Sequence, residues 1–296
     1  MLLAIDIGNT NITAGVFKEK KLLFKFEIPV KSYSKANLSK KLKLKQKPDV
    51  ILLCSVVPEV NGRISADLKS LTGKIPLVIG RDLILPIENL YRKKKQLGQD
   101  RLLNAYAAAK LYKGPLIVID AGTAITIDAV SKNNAFLGGI IFPGMNLLLS
   151  SLKEKTALLP GVKIKEAEEL IGTDTKSSIL GGVVRGTALM CEGVVRRMKE
   201  KIGKNATSFY LSPVIRGPHL CRIRRDLRQI GPVEATIRRE EEAAMAERVF
   251  IDSHRELLYR ETTWRFIFEV PYQFLFNRDR SRRDIDIEGQ FERRWI

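Results

Sequence analysis

Apolar residues fall along this chain in short runs, and two of those runs are near copies. Residues 2–16 read LLAIDIGNTNITAGV and residues 116–130 read LIVIDAGTAITIDAV. Each is an apolar stretch ending in an aspartate, then a residue and a glycine, then Asn or Thr, then β-branched residues. The first copy predicts strands over 2–6 and 12–17 around GNTN, with 21–28 as a third strand. Residues 34–45 place Leu38 and Leu42 on one side of a helix. The nearly continuous apolar run 50–56 reads as a buried strand. A helix over 61–71 and a strand over 75–79 follow. Gly98-Gln99-Asp100-Arg101 opens a helix through Leu111, with Leu103, Tyr106 and Ala107 on one stripe and Gly114-Pro115 as its stop.

The second copy begins the same sequence of elements again. Strands are predicted over 116–120, 124–130 and 135–141, then a helix over 145–152 and a long helix over 179–201 rich in small residues. Three strands followed by helices, twice, is an α/β arrangement of two similar halves with a cleft between them. The expected divisions are a first domain over 1–115 and a second starting at 116 and running to 204. Residues 205–296 have a different character: a charged helix is expected over 238–249 and a weak strand over 264–268.

A strand that stops at Asp-x-Gly and turns into a second strand makes a tight loop of exposed N–H groups beside one carboxylate. Such a loop can hold a phosphate and its metal ion. In the first loop, Gly8 lets the backbone approach, Asn9, Thr10 and Thr13 can donate hydrogen bonds, and Asp6 can hold magnesium directly or through water. An ordinary hairpin with Asn and Gly as turn formers would need no ligand. The second copy favours phosphate binding, because Gly122 and Thr123 suit phosphate, and Asp120 ends a buried run and needs a partner such as a cation. Between the copies, Asp100 and Arg101 put a carboxylate and a guanidinium side by side at a helix start. The carboxylate can take a hydroxyl proton during phosphoryl transfer and the guanidinium can grip an anion. Taken alone, Gly98 to Arg101 read better as an N-terminal helix carboxylate with a surface ion pair.

Composition narrows the classes further. A chain of 296 residues with 45% hydrophobic content is long enough for two cores. Cys54, Cys191 and Cys221 are too few and too scattered for a disulfide framework or a zinc site, and they suit a reducing compartment. Asp6 interrupts the N-terminal apolar run, so no signal peptide is read there. Glycines and Pro143 break the apolar stretch 136–152, so no membrane span is expected; a cytoplasmic location follows. The net charge is +18, and all 27 lysines precede Asn205. Beyond it, 17 arginines against 15 acidic residues leave only +2. The lysine runs lack the aromatic interleaving of a nucleic-acid face and read as solvated loops, so no nucleic-acid partner is expected.

DIGNTNIT, GQDR, DAGTAITID, GGIIFPG and TALLP occur in that order, with GTDTKSS after them. Together they resemble type III pantothenate kinase, of the acetate and sugar kinase/Hsc70/actin superfamily, over about residues 1–204. The resemblance implies two duplicated ribonuclease H-like (actin-like ATPase) domains around a central cleft. It implies transfer of the ATP γ-phosphoryl group to pantothenate, the first step of coenzyme A synthesis. By motif, Asp6, Ile7, Gly8, Asn9, Thr10, Asn11, Ile12, Thr13 and Thr123 would bind ATP. Asp100 would be the general base; Gly98, Gln99, Asp100, Arg101 and Thr175, with Tyr91 as a neighbour, would contact pantothenate. Asp120 would bind a monovalent cation, K+ or NH4+, and Mg2+ would accompany ATP in a homodimer. The family's second half continues into a strand and a Thr-Gly-Gly turn, yet residues 205–296 contain no Gly-Gly pair. That break reads as a frameshift, a fusion or an unrelated replacement, leaving the second domain unfinished. Competing readings are a kinase of the same superfamily acting on a sugar or carboxylate, a nucleotide-binding regulator with impaired catalysis, and a nucleic-acid binder that rests on charge alone.

Overall fold

The computed structural model describes residues 1–18, 21–42, 47–165 and 170–211. The helix and strand expected over 238–249 and 264–268 lie outside the described residues. The first half is built from β1 (Leu2–Ile7), β2 (Asn11–Lys18), β3 (Lys21–Pro29), α1 (Lys35–Lys41), β4 (Val50–Ser55), α2 (Pro58–Thr72) and β5 (Leu77–Val78). Its sheet has the order β3-β2-β1-β4-β5, with β1–β2 and β2–β3 antiparallel and β4 and β5 added in parallel. Strand β1 is apolar at nearly every position because both its faces are covered. Leu3, Ile5 and Ile7 join one cluster with Leu38, Ile64 and Leu68 of the helices, while Leu2 and Ala4 face another with Phe17 and Leu52.

Local chemistry explains where these elements differ from the pattern. The N-cap of α1 is Ser34, whose side chain accepts from the Asn37 N–H, and α1 ends at Lys41 with Leu42 as its C-cap; residues 43–45 of the expected helix lie outside the described residues. Helix α2 starts at Pro58, three residues before the apolar stripe, because a first-position proline has no N–H to leave unpaired. It stops at Gly73, whose φ of 78° is left-handed. Strand β5 keeps only two of the five expected residues, since Pro76 just ahead of it has no ladder donor.

After β6 (Glu88–Asn89) and α3 (Gln99–Leu111) come β7 (Leu116–Ala121), β8 (Ala124–Val130), β9 (Ala135–Pro143) and α4 (Met145–Lys155). Then follow α5 (Thr175–Leu180), a π-helical turn (Gly181–Arg185), α6 (Gly186–Ile202) and β10 (Thr207–Tyr210). The second sheet runs β10-β7-β8-β9-β6; β7–β8 and β8–β9 are antiparallel and β10 is parallel to β7. The order β10-β7-β8-β9 therefore repeats β4-β1-β2-β3. The duplication of sequence is a duplication of topology, that of two ribonuclease H-like sheets. A counterpart of β5 does not occur in this sheet among the described residues.

Two features of the second sheet escape the sequence pattern. Residues 207–210, past the composition break, pair in register with Leu116–Ile119, so the sheet continues beyond 204. Glu88 and Asn89, from the first stretch of chain, extend its other edge against Ala135 and Phe136. The halves share one cluster: Leu102, Leu103 and Ala105 to Ala108 of α3 pack with Cys54 of β4 and with Leu116, Val118, Val130 and Phe136. Helix α3 is thus the wedge between the sheets. The run Thr175–Ile202 is long and apolar enough by composition to cross a membrane. Here its Val183, Val184 and Cys191 sit in core clusters against α4 and the second sheet.

Candidate functional site

The two Asp-x-Gly turns face each other across the cleft. In the first, the Gly8 N–H donates to the Asn11 carbonyl at 3.0 Å; in the second, the Gly122 N–H donates to the Ala124 carbonyl at 2.9 Å. The paired strands close at Ile7–Ile12 and at Ala121–Ile125, so the second turn is one residue shorter. The Thr10 and Thr123 hydroxyl oxygens lie 2.8 Å apart and share a hydrogen bond, tying the loops together. Asn9, Thr10, Asn11 and Thr123 are exposed, as donors to a ligand must be, and Gly8 and Thr13 are half-buried. Ile7 and Ile12 have their side chains in the core, leaving only their backbone groups for a ligand.

The second loop is held from outside by the GGIIFPG segment. The Gly144 N–H donates to the Thr123 carbonyl at 2.9 Å. A Cβ at Gly144 would lie 2.1 Å from the Gly122 carbonyl oxygen, so only glycine permits this approach.

Asp6 ends β1, Asp120 occupies the equivalent place in β7, and Asp100 lies in the first turn of α3. The three carboxylates are close enough to perturb one another. Burial, then the charges of Asp100 and Asp120, pushes Asp6 up to about 7. Burial, then Asp100, raises Asp120 to about 6, against a bond from Asn104 Nδ2 to its Oδ2 at 3.2 Å. Burial raises Asp100 too, opposed by the Arg101 N–H that donates to its Oδ1 at 2.8 Å. Cys54, beside Asp6 in β4, is held well above the ordinary thiol value by burial and then by the charges of Asp6 and Asp100. Helix α3 begins at Gly98, where a Cβ would stand 2.4 Å from Asp100 Oδ1. Gln99 fills the space over Gly80, whose φ is 86°.

The Arg101 side chain is buried. Its Nε donates to both oxygens of Asp128, at 3.1 and 3.2 Å, and its Nη2 donates to Oδ1. The guanidinium carbon lies 5.8 Å from the ring centres of both Tyr91 and Phe136. Burial opposes the charge of Arg101, but Asp128 and Tyr91 outweigh it and hold its pKa above the ordinary value. Tyr91 is half-buried and packs against Phe136 at 6.2 Å. Thr175, by contrast, is the exposed first residue of α5, after the cap Asp174, and the hydrogen bonds of the carboxylate group do not include it.

Asp128, Asn104 and Gly144 are site features that motif reading left without a role. For Asp128 the signal was present: an aspartate inside the apolar stretch 124–130 needs a partner as much as Asp120 does. Asp6 and Asp120 are hard oxygen donors suited to Mg2+ or K+. Among the described residues no group of three or more His, Cys, Asp or Glu converges to hold a metal unaided. Phosphate oxygens or water would have to complete any shell.

A family model for type III pantothenate kinase matches residues 2–197. The type III pantothenate kinase of Sulfurihydrogenibium sp. (strain YO3AOP1) is 35% identical over 214 residues, covering 66% of this chain and 81% of the relative. That of Finegoldia magna is 38% identical over 196 residues, covering 63% and 74%. Among solved structures, the ethanolamine utilization protein EutJ of Carboxydothermus hydrogenoformans aligns with a TM-score of 0.42 at 14% identity, over 74% of this chain and 80% of that one.

Proposed function

The chain belongs to the type III pantothenate kinase family, and from that premise we propose that it transfers the γ-phosphoryl group of ATP to the primary hydroxyl of pantothenate. The product is 4'-phosphopantothenate, and the reaction opens coenzyme A synthesis. The observation that carries this reading is Asp100, placed by α3 between two phosphate-type loops and beside a fixed guanidinium. A carboxylate raised by burial is a stronger base than one in water, and it need accept the hydroxyl proton only late in a largely dissociative transfer. The N–H groups and hydroxyls of 8–13 and Thr123 would cradle the phosphates. Gly98 to Arg101, with Tyr91, would form the acceptor pocket, and Thr175 would join it from α5.

The repulsion among Asp6, Asp100 and Asp120 favours bound cations. Asp6 would hold Mg2+ with ATP, and Asp120 would hold K+ or NH4+. The metal would supply charge neutralisation on the phosphates. A homodimer belongs to the same proposal. A cavity of about 420 Å³ opens between α4 and the π-helical turn, lined by Leu148, Leu152 and Val183. At Gly182 and Gly186 a Cβ would meet nothing within 4 Å, and the same elements expose Leu147 and Leu189. That surface suits close approach of a second copy, in the cytoplasm where the substrates are found.

The test is ADP release coupled to a spectrophotometric readout, with and without pantothenate, in potassium and then in sodium buffer. Pantothenate-dependent, potassium-stimulated turnover is expected. ATP binding without pantothenate-dependent turnover would overturn the kinase reading in favour of a nucleotide-binding regulator.

A further inference from the structure

Asp128 has no place in the chemistry described so far, yet the fold spends a good deal of structure on it. It lies inside β8, opposite Val118 on one side and Gly139 on the other, and it is 1% exposed. A carboxylate so placed is costly unless it is fully paired. Gly139 makes the room, since a Cβ there would stand 2.3 Å from Asp128 Oδ1. Arg101, from a different element, supplies the pairing, and Tyr91 and Phe136 confine its guanidinium.

The pairing is directional. A guanidinium has five N–H donors in one plane. Asp128 takes the Nε–Nη2 edge, and the Tyr91 ring lies 5.8 Å from the guanidinium carbon. The Nη1 amino group takes no part in the bonds to Asp128, so it is the edge that can meet a second carboxylate. With Asp128 removed, the guanidinium loses the acceptors that fix its Nε–Nη2 edge.

We propose that Asp128 is a positioning residue that sets Arg101 for the acidic end of the acceptor and so determines the preference for a carboxylate-bearing substrate over an uncharged one. The proposal rests on the pantothenate kinase reading, in which Arg101 faces the carboxylate of pantothenate. Asp128 touches no reacting atom; its hydrogen bonds toward the site run through Arg101, while its charge also reaches Asp120.

The experiment compares pantothenate with an analogue whose carboxylate is a primary amide, using kcat/KM from ADP release and Kd from calorimetry. In the wild type the acid is preferred. In Asp128→Asn that preference is expected to fall at least tenfold, through a raised KM and Kd for pantothenate, with kcat at saturation changed less than about threefold. In an Arg101→Lys background, adding Asp128→Asn is expected to change the preference little further. A folded Asp128→Asn protein that keeps the wild-type preference, or loses both substrates equally, overturns the proposal. If Asp128→Asn does not accumulate folded, Asp128→Glu is read the same way, because it keeps a charge opposite Arg101 but displaces it. A smaller drop is expected there, and an unchanged preference overturns the proposal. Wild-type protein that binds pantothenate without turning it over refutes the kinase reading alone, and the Kd ratio still decides Asp128. Wild-type protein that does not bind pantothenate overturns both.

Discussion

Asp6 is the residue whose charge the fold resists most clearly, and replacing it tests the electrostatics of the cleft directly. Its carboxyl is pushed from 3.8 up to about 7 by burial and by Asp100 and Asp120. A group whose folded pKa is raised holds its proton longer in the native state than in the unfolded one. Its contribution to stability is therefore fully present below about 3.8 and is lost as pH rises through about 7. At about 1.4 kcal/mol per pH unit, the 1.5 units between pH 5.5 and the folded value cost the wild type about 2 kcal/mol by pH 8.5. Asp120, raised to about 6 and sharing the same repulsion, adds less than about 1 kcal/mol over that window. Asp6→Asn carries no titrating group and should lose only the smaller Asp120 share. The assay is urea unfolding at both pH values, without divalent ions and with a bulky organic cation as the only counterion. Expected are a wild-type decline of about 2–3 kcal/mol, a much smaller decline in the variant, and recovery of the wild type at pH 8.5 on adding Mg2+ and K+. A wild-type stability that is flat or rises from pH 5.5 to 8.5, or a variant that declines as steeply, would refute the placement of Asp6 among mutually repelling carboxylates.

Asp100→Asn should lower kcat by about 10²–10⁴-fold while calorimetric ATP affinity is kept; unchanged turnover would remove Asp100 from the mechanism. Gly144→Ala drives a methyl into the Gly122 carbonyl, so a loss of about 1–3 kcal/mol in unfolding free energy and a raised KM for ATP are expected. Wild-type melting and kinetics in that variant would mean the second loop does not depend on this contact. Asn104→Ala removes the bond that opposes the raised pKa of Asp120. More K+ should then be needed for half-maximal activity at neutral pH, and an unshifted potassium titration would dissociate Asp120 from the cation site.

The duplication was legible because it is written in local chemistry: an apolar run closed by Asp-x-Gly means a buried strand and a tight turn in either half. Helix α3 was legible from its stripe and its glycine start. What the pattern could not carry were contacts between distant segments. Residues 88–89 are too short a strand to stand out, and their pairing partner lies at 135–136. Strand β10 is four residues long and lies just past a composition break, so its pairing with β7 is not written in its own pattern. The partner of Asp128 is 27 positions upstream on a helix, so periodicity could say only that a partner was needed, not that it was Arg101. Gly144 stands just before the helix expected over 145–152, and its role against the Gly122–Thr123 turn is a contact that appears only when β9 is paired with β8.

A duplicated fold offers two equivalent loops and two equivalent aspartates, but phosphoryl transfer needs an asymmetric site. Helix α3 supplies the asymmetry, because it crosses between the sheets once and has no copy among the described residues. Its first turn carries Asp100 and Arg101, and the proposed roles of base and anion grip therefore fall on one side of the cleft. One turn further on, Asn104 donates to Asp120, and no side chain does the same for Asp6 among the described hydrogen bonds. This bond, with the Ala121 N–H that also lowers Asp120, distinguishes two carboxylates at equivalent places and opposes the burial they share. The shorter second turn, braced by Gly144 and joined to Thr10 through Thr123, adds a difference in shape to the difference in charge. The halves are alike in topology and unlike in the roles proposed for them for a reason that lies between them, in thirteen residues of helix.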